Sequence, residues 1–238
     1  MENSSELISE FLHNRSSGAQ ELAQQALDIV KALYFSHTST PEIFDFLCKS
    51  ADQFHQMVPL IKIRDHFQKY GVGKSSIEAF EKLLYDTSYI SHAAFLFDTP
   101  KSVLTFSNSS SVKAVLLHYK NSLKKVICCR SLPLGEGEFL HDSLIEQGVK
   151  SSIIEDAEAA NYLGSVDFVV IGADAVTEDF VVNKVGTLSL VLTARHFGVP
   201  LYVIVSPLKM IQSKNYLAEK LEQYFEKIDS SLITEIVN

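Results

Sequence analysis

The chain has 238 residues, 46% of them hydrophobic, with only 10 Gly and 6 Pro; a disordered or fibrous protein is excluded, and one large domain or a helical cap plus an α/β domain can be built. Its 21 Lys and Arg against 29 Asp and Glu give a formal charge of −8, and the basic residues form no run, which argues against a general nucleic-acid surface. A phosphorylated small molecule, needing only two or three local cations, stays within reach of this balance.

Residues 1 to 17 are polar and lack an apolar signal core, and apolar runs such as Val199 to Val205 are too short to span a bilayer. Neither export nor membrane insertion is read from them. Cys48, Cys128 and Cys129 have no zinc spacing, and an adjacent pair suits a structural disulfide poorly. A reducing, cytoplasmic compartment is expected, with no metal and no cofactor.

From Ser4 to about Tyr85 apolar residues recur at helical spacing: Leu7 and Phe11, then Leu22, Ala26, Ile29, Val30 and Leu33. Thr40-Pro41-Glu42 starts a further helix. Residues 1–100 are therefore assigned to a helical N-terminal domain. Beyond Ser102, short apolar runs alternate with helical patterns. The strands expected are Val103–Thr105, Val126–Cys128, Ser152–Ile154, Phe168–Val170 and Leu201–Val205. The helices between them fall at Ser110–Tyr119, Glu136–Gln147, Asp156–Leu163 and Gly186–Phe197. Residues 101–238 thus read as a Rossmann-like α/β domain with a parallel sheet.

Parallel strands offer their carboxyl ends to ligands. The run Val166 to Ile171 is a buried strand, Gly172 lets the backbone turn, and Asp174 follows it. A loop then delivers Asn183 and Lys184 as Gly186-Thr187-Leu188 opens a helix, so that a carboxylate, an amide and an ammonium could meet one small anionic polyol. After the first strand, Phe106-Ser107-Asn108-Ser109-Ser110 offers hydroxyls and free N–H groups at a helix start, for a phosphate or simply for a serine cap. Gly135-Glu136-Gly137 after the second strand is a lone Gly pair, a weak signal for a phosphate loop whose plainer reading is an ordinary turn into a helix. Gly18 beside Arg15 suits close backbone approach to an anion, a solvated Arg with a turn Gly being the plainer alternative.

Taken in order, Arg15-Ser-Ser-Gly-Ala19, Leu104-Thr-Phe-Ser-Asn-Ser109, Gly172-Ala-Asp-Ala-Val176 and Asn183-Lys-Val-Gly-Thr187 resemble one family over essentially the whole chain. It contains the α, β and δ regulatory subunits of translation initiation factor 2B, ribose-1,5-bisphosphate isomerase and methylthioribose-1-phosphate isomerase. The Asp156-Ala157 pair and the closing Ser231-Leu-Ile-Thr-Glu235 fit the same pattern. In the isomerases of this family, a Cys after the first strand moves the substrate proton and the Asp of Gly-Ala-Asp serves the neighbouring oxygen. The resemblance therefore implies Asp174 and Ser107 as the catalytic positions. It implies Arg15, Gly18 and Ala19 as a phosphate clamp, and Asn183, Lys184, Asn108 and Ser109 as ligand-binding residues.

The chain departs from the isomerase pattern where the chemistry should be. Ser107 stands in place of the Cys and Phe106 in place of the preceding His, while Leu132 and Thr40 stand where Arg residues precede Pro133 and Pro41. A serine hydroxyl is a poor proton carrier without an activating group, and each lost Arg removes a bidentate phosphate contact. Arg130 and Cys129 are conceivable replacements. The first reading is a sugar-phosphate- or nucleotide-binding protein of the regulatory-subunit type without strong catalysis, a homodimer or partnered by related subunits, with no direct nucleic-acid or membrane partner. The rival is an aldose–ketose isomerase on a phosphorylated ribose. A purely structural subunit would leave Asp174, Asn183 and Lys184 as solvated loop residues.

Overall fold

A computed structural model describes residues 4–14, 17–216 and 221–238. The chain divides into two compact units, Met1–Asp86 with Lys214–Glu219, and Thr87–Ser213 with Lys220–Asn238.

The first unit is helical: α1 (Ser4–His13), α2 (Ala19–Phe35), α3 (Thr40–Gln53), α4 (Val58–Tyr70) and α5 (Lys74–Leu84). Buried residues of α2 at Leu22, Ala26, Val30 and Leu33 repeat every three to four positions, which turns one stripe of the helix inward. Phe46, Phe67 and Phe80 from the three following helices are fully buried. A capping box of Ser39 and Glu42, with Pro41 in the first turn, starts α3.

In the second unit, α6 (Ser88–His92) leads into β1 (Lys101–Phe106), α7 (Ser110–His118), β2 (Leu123–Cys129), α8 (Glu136–Glu146), β3 (Ser151–Ile154), α9 (Ala159–Leu163) and β4 (Phe168–Ile171). A small antiparallel part follows, β5 (Ala175–Val176) and β6 (Phe180–Lys184), then α10 (Thr187–His196), β7 (Leu201–Ile204), β8 (Phe225–Asp229) and β9 (Glu235–Val237). Six strands form one parallel sheet in the order β3-β2-β1-β4-β7-β9. Numbered within that sheet, the order is 3-2-1-4-5-6, the doubly wound arrangement in which strand order reverses between β1 and β4.

Strand side chains alternate between two cores, as the period of two requires. Leu104, Phe106, Ile127, Cys129, Val169, Ile171, Leu201 and Val203 face α9 and α10. Val103, Val126, Cys128, Phe168, Val170 and Ile204 face α7, α8 and the 89–97 segment. Both faces are covered, which explains why these strands are apolar throughout.

Two features differ from the sequence expectation. A sixth parallel strand, β9, closes the edge, its three residues too short to stand out as a pattern. Asn183 and Lys184 lie on strand β6, not on a loop; β6 pairs with β5 and β8 in a separate three-stranded sheet. The short Val181-Val182 core of β6 is buried, but two flanking polar residues at its end disguise it as loop.

Candidate functional site

Ser107 and Gly172 continue the neighbouring strands β1 and β4, which pair in parallel through Phe106 and Ile171, so both chains emerge at the carboxyl edge where the strand order reverses. A Cβ on Gly172 would come 2.3 Å from Ser109 Oγ and 2.4 Å from Ser109 Cβ; only glycine lets the two turns pack this closely. Ser109 is also the N-cap of α7, its Oγ accepting from the Val112 N–H, while Asn108 is exposed. Phe106 is buried with its ring against Gly186, which demands glycine both by its φ of 98° and because a Cβ there would come 2.8 Å from the ring.

Ser107 is buried and holds a left-handed backbone at φ 66°, a conformation that costs a non-glycine residue of order 1–3 kcal/mol and persists only where surroundings enforce it. Ser131, past the end of β2, has φ 66° as well, and its Oγ accepts the Ser107 N–H at 2.6 Å. Asp156 holds that second loop by accepting the N–H groups of Ser131 and Leu132, both at 2.7 Å. At the start of α8, Glu136 then reaches across the strand ends. Ser107 Oγ donates to Glu136 Oε2 at 3.3 Å, and Lys184 Nζ lies 3.2 Å from Glu136 Oε1. The Lys184 and Glu136 side chains are each 18% exposed, so the pair is only weakly screened. Lys184 also lies over the Phe225 ring at 4.2 Å.

Asp174 is buried, its backbone N–H bonded to the Val182 carbonyl. Beneath it, Lys209 is buried and donates to the Ala173 carbonyl at 2.6 Å. Burial lowers the Lys209 pKa from its ordinary value, and the Asp174 charge opposes that shift. Asn183 is buried and donates through Nδ2 to Thr187 Oγ1, which itself donates to the Lys184 carbonyl. The start of α10 is occupied by the protein's own carboxylate, since the Leu188 N–H donates to Glu226 Oε1 at 2.7 Å.

Ser107 and Asp174 thus follow β1 and β4 and Asn183 and Lys184 end β6, Glu136 joining Ser107 to Lys184 and Lys209 holding the Ala173 carbonyl next to Asp174. Sequence reasoning missed Glu136 and Lys209. Lys209, shortly past the end of β7, carried the signal that singled out Asp174, whereas Glu136 reads locally as a carboxylate in the first turn of a helix. Arg15 lies outside the described residues. Gly18 and Ala19 start α2 in the helical unit, Gly18 as N-cap with φ −75° and Ala19 buried.

Neither conceivable replacement is free for the role. Arg130 pairs with Glu155 at 2.9 Å and with Glu138, while Leu132 is exposed. Cys129 is buried in the core, and desolvation first, then Asp156 and Cys128, push its thiol up to about 12. Such a thiol is neutral and unreactive near neutrality.

Residues 73–231 match the model of the initiation factor 2 subunit family. The chain belongs to that family. Within it, a Pyrococcus furiosus protein named translation initiation factor eIF-2B subunit 2-like is 35% identical over 122 residues, covering 50% of this chain and 44% of that protein. The ribose 1,5-bisphosphate isomerase of Haloferax volcanii is 42% identical over 79 residues, covering 33% of this chain and 24% of the enzyme. The chain thus aligns with less than half the length of these curated relatives. The crystal structure of the Pyrococcus horikoshii OT3 translation initiation factor eIF-2B shares the fold, with a TM-score of 0.84 at 21% identity over 100% of this chain and 95% of that one. The initiation factor 2 subunit family therefore holds both eIF-2B-subunit-like proteins and sugar-phosphate isomerases.

Proposed function

We propose that this chain binds a sugar phosphate or nucleotide at the carboxyl edge of its parallel sheet and serves as a cytoplasmic regulatory subunit of the translation initiation factor 2B type, without strong catalysis. The observation that carries the reading is the chemistry at the end of β1. A hydroxyl stands there, and the nearby thiol of Cys129 is buried and held at about 12. Acid–base catalysis near neutrality needs a group of suitable pKa; a hydroxyl and a buried neutral thiol supply none, while Asp174, Asn183 and Lys184 remain to recognise a polyol.

The rival isomerase reading is supported by one contact, Ser107 Oγ on the Glu136 carboxylate, because a carboxylate can accept a hydroxyl proton. Two measurements separate them. Thermal-shift titration with ribose 5-phosphate and nucleoside monophosphates should raise the melting temperature, and an NMR time course with ribose 1,5-bisphosphate should show no, or barely detectable, isomerisation. Robust turnover abolished by Asp174→Asn would replace the regulatory reading with the catalytic one. Absence of any shift with every compound would remove the binding reading.

A further inference from the structure

The donors that a phosphate would seek at this edge already have carboxylates of the protein itself. Lys184 has Glu136, the Leu188 amide of α10 has Glu226, the Ser131 and Leu132 amides have Asp156, and Arg130 has Glu138 and Glu155. Those of Asp156 and Glu226 hold backbone N–H groups. That of Glu136 is different, because its carboxylate bridges two side chains contributed by other strands, one oxygen on the Ser107 hydroxyl and the other on the Lys184 ammonium. The result is a run of hydroxyl, carboxylate and ammonium at the strand ends.

We infer that Glu136 selects the ligand: its carboxylate between Ser107 and Lys184 makes this corner a receptor for the vicinal hydroxyls of an unmodified sugar and rejects a phosphate there. The inference rests on the binding reading above and names its substrate class, a sugar bearing a single phosphate rather than a bisphosphate. Adjacent hydroxyls can donate to the Glu136 carboxylate and accept from Lys184 without displacing any charge. A phosphate would have to separate Lys184 from Glu136 and then lie against an uncompensated carboxylate, and like charges in contact cost several kcal/mol.

The test is calorimetric titration of the wild type, Glu136→Gln and Glu136→Asp with ribose 5-phosphate and with ribose 1,5-bisphosphate. The wild type should favour the monophosphate by at least about tenfold, as expected from charge repulsion at this corner. Glu136→Gln, nearly isosteric but neutral, should erase or reverse that preference by strengthening the bisphosphate. Glu136→Asp, which keeps the charge, should keep the preference, and added salt should narrow the wild-type gap. A wild-type preference for the bisphosphate, or a ratio unchanged in Glu136→Gln, would overturn the role of Glu136 while leaving sugar-phosphate binding intact. Binding of neither compound by the wild type would overturn both readings together.

Discussion

Lys184 combines an ion pair with a ring contact, so truncating it does more than delete a positive charge. Lys184→Ala leaves Glu136 without its cation and removes a donor to the ligand; binding of a sugar monophosphate should weaken by about 1.5–3 kcal/mol, the scale of a hydrogen bond to a charged group, measured by calorimetry. An unchanged dissociation constant would take Lys184 out of the site. Ser107→Cys places a thiol beside the Glu136 carboxylate, and a trace of isomerisation of ribose 1,5-bisphosphate, read by NMR, is the expected gain only where the pocket still holds that bisphosphate. Asp174 and Lys184 could be read from the chain because charged residues follow obvious strand and turn signals. Glu136 could not, because a carboxylate in the first turn of a helix is ordinarily explained by the helix dipole alone. What distinguishes it is its two partners from distant strands, and no local pattern encodes those.

At the level of single elements, β2 carries two thiols on opposite faces of the sheet, both buried. Desolvation pushes Cys128 up to about 11 and Cys129 up to about 12, from an ordinary 9.0. Ellman's reagent should therefore modify only Cys48 in the native protein near pH 8 and all three thiols in denaturant. Because the unfolded chain gives up these protons first, their contribution to stability is complete below pH 9 and is lost as pH climbs toward about 12. Denaturant unfolding of wild type and Cys129→Ala across that range should show a shallower decline in the variant. The join between β1 and β4 is equally constrained: Gly172→Ala drives a methyl into Ser109 and should cost about 1–3 kcal/mol, the usual penalty of overpacking, in urea unfolding. Elements with long patterns, such as α2 and the paired strands, were legible in the chain. The two-residue β5, the three-residue β9 and the pairing of β6 with β8 were not, since their partners lie far along the sequence.

For the molecule as a whole, the parallel sheet was legible as alternation of strand and helix; the reversal between β1 and β4 was not, because the right-handed connection fixes only which face each helix covers once the order is set. Leu132, Phe139, Leu192 and Phe197 of the α/β unit are 50–65% exposed, apolar area that the proposed homodimer would cover. Sedimentation equilibrium should accordingly give twice the chain mass; a monomer at micromolar concentration would remove the homodimer. One consequence attaches to Lys209, sealed beneath the Gly-Ala-Asp turn. An amine-acylating reagent cannot reach it until that turn lifts, so its labelling, followed by mass spectrometry against the fast surface lysines, is a clock for opening of the site. A bound sugar that rests on Asp174 should slow that clock even when no change of shape can be seen.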